Sequence, residues 1–312
     1  MAAATAPARR AQGDAVVLRW SAGVVGAAML CACSGQEVLN ALTPSSGYKL
    51  SAAVLYDDAN RLRLDVYAPP RARNAPVVVF LYGGRWSAGS RSEYRFVGQA
   101  LASKGFVAVI PDYRVYPVAR FPVFVEDAAR ALRWTRDIIG RYGGDPRQLF
   151  VMGHSSGAHM AALLALDPGW LQRAGLPRGA LRGMIGLAGA YDFMPITAPD
   201  LREIFGPPDR FAASQPVNFA DGANPPLLLL HGANDDTVDV RNTRNLARAV
   251  AHAGGPVEVL IYPRLSHGWI VGTLGAPLRG QADVLDQVAE FVRRRSREPL
   301  VPKPAIESRK LQ

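Results

Sequence analysis

Short runs of β-branched residues and leucine alternate with longer segments of helical apolar spacing from residue 49 to residue 294. This alternation predicts an α/β fold in which helices cover both faces of a mainly parallel sheet. Residues 57–60 predict a turn that joins the first two strands into an antiparallel hairpin. The predicted strands are 49–56, 62–68, 77–81, 106–110, 148–152, 184–187, 227–230 and 257–262, and the predicted helices are 93–103, 123–140, 156–166, 240–253 and 281–294.

Residues 192–224 interrupt this rhythm with five prolines and little periodicity. Long irregular segments in compact α/β domains serve either as lids and binding loops or as plain surface excursions. The sequence leaves both interpretations open, and a lid or cap built from this segment would be small.

The composition is that of an ordinary folded protein, with 312 residues of which 49% are hydrophobic and 20% charged. The net charge of +10 raises the question of a nucleic-acid partner. Seven basic and two acidic residues lie in 293–312, however, and the two ends carry most of the excess. A basic tail is more simply a solvated or disordered end, so we expect no nucleic-acid partner.

The amino-terminal region has the pattern of an export signal, because Arg9, Arg10 and Arg19 precede an apolar stretch at 20–30. The uncharged run at 20–35 has 16 residues, which is short of the about 20 that a membrane-spanning helix needs. Such a segment can be the signal of a lipid-anchored protein, an ordinary cleaved signal, or an uncleaved cytoplasmic start.

The chain has two cysteines, Cys31 and Cys33, and both lie at the end of that stretch. The segment 30–33 resembles a bacterial lipobox, which implies that Cys33 becomes the lipidated first residue of the mature protein. By the same resemblance, Ser34 favours the outer membrane of the cell envelope. The membrane is then a predicted partner through this lipid anchor.

These features predict four regions. Residues 1–33 form a signal peptide, 34–48 a linker, 49–294 a single catalytic domain, and 295–312 a basic, disordered tail. The sequence does not indicate an oligomeric state.

A strand at 149–152 leads into the pentapeptide G-H-S-S-G at 153–157, and a helical segment follows. Strand, G-x-S-x-G and helix together form the nucleophile elbow, in which a sharp turn exposes the serine hydroxyl above the sheet. Ser155 is therefore the predicted nucleophile. The backbone N–H of Ser156 is a predicted oxyanion donor.

A serine hydroxyl needs a base, and the base needs an orienting carboxylate, which this fold supplies in the order Ser, Asp, His. The strand that ends near His231 is followed by Asp235 and Asp236, and either can be the acid. The loop after the last strand contains His267, the predicted base.

A second source of oxyanion donors is expected after the strand at 77–81. There Gly83 and Gly84 form a glycine pair whose backbone N–H groups can face a developing oxyanion. Of the other histidines, His154 and His159 are predicted to pack or to form local hydrogen bonds, and His231 to support the acid turn. His252 is predicted to face solvent at the end of a helix. None forms an H-x-x-x-H pair, so we expect no metal, and hydrolysis by a serine triad needs no cofactor.

With these motifs the chain resembles the α/β-hydrolases of the esterase and lipase type, near their hormone-sensitive-lipase-like, feruloyl-esterase-like and arylformamidase-like branches. Besides G-H-S-S-G, the resemblance rests on Y-G-G-R-W at 82–86, P-D-Y-R at 111–114 and H-G-A-N-D-D-T-V at 231–238. It implies an eight-stranded sheet with an antiparallel first pair, and it favours Asp235 over Asp236 as the acid.

The resemblance implies a serine carboxylesterase that hydrolyses short- to medium-chain esters through an acyl-enzyme. An amide hydrolase with the same triad and a non-catalytic binding module are the alternatives. Tyr82 replaces the first histidine of the family's H-G-G, which puts substrate preference in doubt. Together with Tyr82, the aromatic residues expected to line the substrate pocket are Trp86, Tyr116, Tyr191 and Trp269.

Overall fold

The computed structural model describes residues 1–2 and 35–299, and one eight-stranded sheet forms its centre. The strand order is β1-β2-β4-β3-β5-β6-β7-β8, with β2 antiparallel to both β1 and β4 and every other pair parallel. The predicted fold class is confirmed. The strands are β1 Lys49–Asp57, β2 Leu62–Ala68, β3 Ala75–Leu81, β4 Val107–Pro111, β5 Gly144–His154, β6 Leu181–Leu187, β7 Leu227–Gly232 and β8 Val257–Tyr262.

Nine α-helices and six short 3-10 segments surround the sheet in the described part of the chain. The helices are α1 Gly35–Ala41, α2 Arg95–Ser103, α3 Val123–Ile138, α4 Ser156–Leu166, α5 Pro168–Arg173, α6 Pro199–Phe205, α7 Arg241–His252, α8 His267–Gly272 and α9 Val284–Arg297. The 3-10 segments are Arg91–Tyr94, Ile139–Tyr142, Arg178–Ala180, Pro208–Ser214, Pro216–Phe219 and Ala276–Leu278.

The direction in which the chain crosses the sheet reverses next to β3. The connection from β3 to β4 runs toward β1, and the later connections run toward β8. Right-handed crossovers therefore place α2 on one face and α3, α4 and α7 on the other. The reversal opens a crevice at the carboxyl ends of β3 and β5, where α/β sheets bind their ligands.

The strands beside this crevice lie at the centre of the hydrophobic core. Residues 77–81 of β3 and 149–152 of β5 have no accessible surface. All eleven residues of α4 are buried, which agrees with a sequence that is apolar around the whole helix. The crevice is thus built on the least accessible part of the molecule.

The described residues differ from the predicted elements in several places. The segment 34–48, predicted as a linker, contains helix α1, and α9 continues to Arg297. The irregular segment 192–224 contains α6 and two of the 3-10 segments. Helices α5 and α8 were not predicted.

The predicted signal peptide, the proposed anchor Cys33 and residues 300–312 of the predicted tail lie outside the described residues. Within 35–299, the helices are too short or too polar to cross a bilayer.

Candidate active site

Strand β5 and helix α4 meet at Ser155, whose backbone has a φ of 56° and a ψ of −122°. An L residue rarely adopts this conformation, which costs about 1–3 kcal/mol. Glycine is required on both sides of the turn. A Cβ on Gly153 would lie 2.3 Å from the backbone of Gly157, and a Cβ on Gly157 would lie 2.0 Å from the carbonyl oxygen of Leu81. The segment is therefore a nucleophile elbow in geometry as well as in sequence.

The structure brings the three predicted triad residues together. Nε2 of His267 lies 2.8 Å from Oγ of Ser155, and Nδ1 of the same ring lies 2.8 Å from Oδ2 of Asp235. With the proton on Nδ1, the ring donates to the carboxylate and accepts from the serine hydroxyl. This is the tautomer in which a histidine acts as a general base.

Asp235 is held on both of its oxygens. Oδ1 accepts hydrogen bonds from the backbone N–H groups of Thr237 and Val238, at 2.9 and 2.8 Å. Oδ2 faces His267 and also lies 3.1 Å from Nε2 of His231. Burial alone would raise the pKa of this carboxyl, but the hydrogen bonds from His231, His267 and Val238 outweigh it and hold the pKa well below its ordinary value. The side chain is therefore a carboxylate at neutral pH.

The neighbouring carboxylate does not take part in this arrangement. Asp236 is exposed and accepts a hydrogen bond from the hydroxyl of Thr237 at 3.3 Å. His231, which the sequence predicts to support the acid turn, lies 2.7 Å from Oγ1 of Thr243 and 2.9 Å from the Val238 carbonyl oxygen. The choice of Asp235 over Asp236 thus agrees with the geometry.

A second histidine lies directly behind the base. Nε2 of His154 is 3.0 Å from the carbonyl oxygen of His267, and the two ring centroids are 4.8 Å apart. Burial, and then the nearby His267, lower the pKa of His154 to about 3. The ring is therefore neutral, and its Nε2–H donates to the backbone of the base.

The glycine pair after β3 packs against the nucleophile. A Cβ on Gly83 would lie 3.1 Å from Cβ of Ser155, and one on Gly84, whose φ is +140°, would lie 2.1 Å from the carbonyl oxygen of Ala88. Gly83 and Gly84 both line the cleft together with Ser155. The backbone N–H groups of the pair therefore remain the predicted oxyanion donors.

Ser156 occupies the first position of α4, where backbone N–H groups have no partner within the helix. Its N–H therefore stays beside the nucleophile as another predicted donor. Among the described residues no group of three or more His, Cys, Asp or Glu side chains is arranged to hold a metal ion.

The site opens into a cleft of about 1250 Å³. Of the five aromatic residues predicted to line it, Trp86 and Trp269 do so. The indole N–H of Trp86 donates to Nδ1 of His159 at 3.2 Å, and Nε2 of His159 lies 2.7 Å from the carbonyl oxygen of Ser214, so this wall is fixed by hydrogen bonds.

The other three aromatic predictions are corrected by the structure. Tyr82 is buried between the rings of Tyr94 and Tyr113, at centroid distances of 5.7 and 4.4 Å. Tyr191 is fully buried outside the cleft lining, and the hydroxyl of Tyr116 donates to Glu203, also outside it. Side-chain direction decides these cases, and the sequence does not reveal it.

One supporting contact was not predicted, the hydrogen bond from His154 to the backbone of His267. The position of His154 inside G-H-S-S-G was the available signal.

Two family models match the chain. Residues 125–296 match the prolyl oligopeptidase family, and residues 64–174 match the family described as BD-FAE.

Among curated proteins, the chain is 30% identical over 260 residues to a probable isoprenylcysteine alpha-carbonyl methylesterase of Oryza sativa, covering 75% of this chain and 61% of the relative. It is 31% identical over 239 residues to esterase LipC of Mycobacterium tuberculosis, covering 69% and 59%. The chain therefore spans about three-fifths of these relatives.

Among solved structures, the apo form of Thermogutta terrifontis esterase 2 superposes with a TM-score of 0.67 at 25% identity, covering 80% of this chain and 96% of that protein. The propionate-bound form of the same esterase gives 0.66 at 26% identity over the same shares of the two chains.

Proposed function

Because the chain belongs to the α/β-hydrolases, with more than half of its length matching the prolyl oligopeptidase family, we propose that it is a serine carboxylesterase. The observation that carries this proposal is the continuous hydrogen-bonded relay from Ser155 through His267 to Asp235. The similarity of this chain to a plant methylesterase and a mycobacterial esterase supports hydrolysis of esters rather than of amides.

In the proposed reaction, Oγ of Ser155 attacks the ester carbonyl carbon while Nε2 of His267 takes the hydroxyl proton. The carbonyl oxygen becomes an oxyanion, which the N–H groups of Gly83, Gly84 and Ser156 stabilise. Asp235 stabilises the imidazolium that forms. The protonated ring then gives its proton to the alkoxide, so that the alcohol leaves and an acyl-enzyme remains.

Water completes the cycle by the same steps. Nε2 of His267 takes a proton from the water as its oxygen attacks the acyl carbon, and the intermediate collapses with return of the proton to Ser155. No cofactor is needed for either half. His154 contributes by holding the backbone of His267, which fixes the ring between its two partners.

We propose short- to medium-chain acyl groups as substrates. The acyl side of the cleft is lined by Trp86 and, in the segment 192–224, by Phe193, Met194 and Leu201. This segment is short for a lid, and the similar Thermogutta esterase is known with propionate bound.

The test measures hydrolysis of p-nitrophenyl esters from acetate to palmitate by the purified full-length chain. Ser155→Ala is expected to lower kcat by at least about 10,000-fold, because it removes the nucleophile. Ser103→Ala, an exposed serine at the end of α2, is the matched control and should keep full activity. Equal activity of the parent and Ser155→Ala, or a folded parent that cleaves no ester, would refute the proposal.

We also propose that the protein is exported and anchored by lipid on Cys33. The support is in the sequence, where basic residues, an apolar stretch and a lipobox-like segment occur in order. Metabolic labelling with an alkyne fatty acid in a bacterial host tests it. Label should be absent from Cys33→Ala and present in Cys31→Ala; label retained in Cys33→Ala would contradict the assignment.

A further inference from the structure

Helix α1 forms one wall of the cleft. Its residues Gln36, Val38 and Leu39 line the cavity, and Leu42 follows directly after the helix. The helix has no buried residue of its own, so its position depends on contacts with the body.

Specific hydrogen bonds fix this helix. The Asn40 amide donates to the carbonyl oxygen of Ser92 at 2.8 Å and accepts from the N–H of Phe96 at 3.1 Å. Ser92 lies in the 3-10 segment before α2, and Phe96 lies in the first turn of that helix. The wall is thus tied to the start of α2.

The wall is apolar where it faces the cavity. Together with residues of α2, α8 and the 3-10 segment at 276–278 it makes an apolar surface that we call the α1 arm. Two of its residues leave large apolar area open, since Val38 is 45% and Leu42 is 58% exposed. The α1 arm consists of Val38, Leu39, Leu42, Phe96, Val271 and Leu278.

The α1 arm lies on the side of the catalytic base. His267 begins α8, and Val271, one turn later, is on the same face of that helix. Leu39 lies against the end of α8 and the turn that follows, because a Cβ on Gly272 would lie 3.8 Å from its Cδ1 and one on Gly275 would lie 2.8 Å from its Cδ2. Since His267 must deliver a proton to the departing alkoxide, the alcohol part of an ester lies on this side of Ser155.

We propose that the α1 arm is the alcohol subsite and that it selects esters whose alcohol carries a long or bulky apolar group. This proposal rests on the proposed function and adds the substrate class to it. The acyl group takes the opposite side of the cleft, beside Trp86 and Phe193. Burial of one methylene group strengthens binding by a factor of about four. An alkyl chain of the alcohol that lies along the α1 arm should therefore raise kcat/KM.

The experiment compares two ester series on the full-length chain. In one series the acyl group is acetyl and the alcohol grows from methyl to octyl, and acid release is followed by titration. In the other the alcohol is p-nitrophenol and the acyl group grows from acetyl to octanoyl. The variant is the double substitution Val38→Ser and Leu42→Ser, whose exposed positions should not affect folding. Val118→Ser, 79% exposed and outside the cleft lining, is the control.

In the parent and the control, kcat/KM should rise from methyl to octyl acetate. In the double variant the octyl-to-methyl ratio of kcat/KM should fall about tenfold or more, while the relative rates within the acyl series keep their order. A parent without preference for the longer alcohol, an unchanged ratio in the variant, or a change confined to the acyl series would overturn the proposal. Absence of all ester hydrolysis in the parent would instead reject the esterase function itself.

Discussion

Replacing Asp235 with asparagine should damage catalysis far more than the same change at Asp236, one residue away. The change removes a charge and one acceptor oxygen while nearly preserving volume. Asp235 accepts from two backbone N–H groups through Oδ1 and faces two histidines through Oδ2. An amide can keep the first pair of hydrogen bonds only by turning its NH₂ toward His267.

The size of the effect follows from that orientation. An NH₂ group beside Nδ1 of His267 donates to that nitrogen and forces the ring proton onto Nε2. The protonated Nε2 can no longer accept the hydroxyl proton of Ser155. The imidazolium also loses a charge-assisted hydrogen bond, worth about 1.5–3 kcal/mol. A triad histidine in the wrong tautomer loses about 10,000-fold in kcat, so we expect a fall of about 1,000- to 10,000-fold.

The assay is kcat for p-nitrophenyl acetate near neutral pH, with circular dichroism to confirm folding of both variants. Asp236→Asn should retain activity within about twofold, because the side chain is exposed and its hydrogen bond is to the hydroxyl of Thr237, outside the triad. A folded Asp235→Asn with more than a tenth of the parent activity, or a large loss in Asp236→Asn, would refute the assignment of the acid.

Three further outcomes are expected from the elbow and the buried histidines. Ser155→Gly should raise the free energy of unfolding by about 1 kcal/mol in chemical denaturation, because relief of the backbone strain exceeds the added entropy of the unfolded chain; a lower value would contradict the strain. Gly157→Ala should lower the free energy of unfolding by at least about 3 kcal/mol or prevent folding, since its Cβ meets the Leu81 carbonyl oxygen, whereas Gly280→Ala, with open space around it, should be near neutral. Burial lowers the pKa of His154 to about 3 and that of His159 to about 4, so the unfolded chain binds protons that the folded chain does not, and stability should fall as pH drops from about 6.5. His154→Phe should reduce the dependence of stability on pH. An unchanged dependence would show that folding does not lower the pKa of His154.

The order of strands, helices and triad residues was predictable because each depends on local pattern. Short apolar runs that alternate with segments of helical spacing indicate the sheet and its helices. The glycines on either side of Ser155 are required because a Cβ at either position would overlap backbone atoms. The choice between Asp235 and Asp236 was open from the residues alone, since both follow the same strand. It depends on which carboxylate meets two backbone N–H groups and His231.

The features that could not be predicted depend on contacts between distant segments. Helix α1 is seven residues long, too short for its periodicity to be informative, and the hydrogen bonds of Asn40 hold it in place. Tyr82 comes directly after β3, at a position from which a side chain can enter the cleft. Its ring is instead buried by stacking on Tyr113. In both cases the partner lies at least 30 residues away along the chain.

The strained backbone at Ser155 has an evolutionary consequence. A lineage that no longer needed hydrolysis could gain stability by mutating this residue to glycine, so drift would erase the strained serine among the first changes. Among the described residues Ala53 and Arg61 also have a φ of 56°, so a positive φ alone does not mark a nucleophile. What distinguishes Ser155 is the combination of this φ with two glycines that the turn requires. Loss of either glycine, or replacement of the strained serine by glycine, would therefore be the first sign in a relative that the elbow no longer serves a nucleophile.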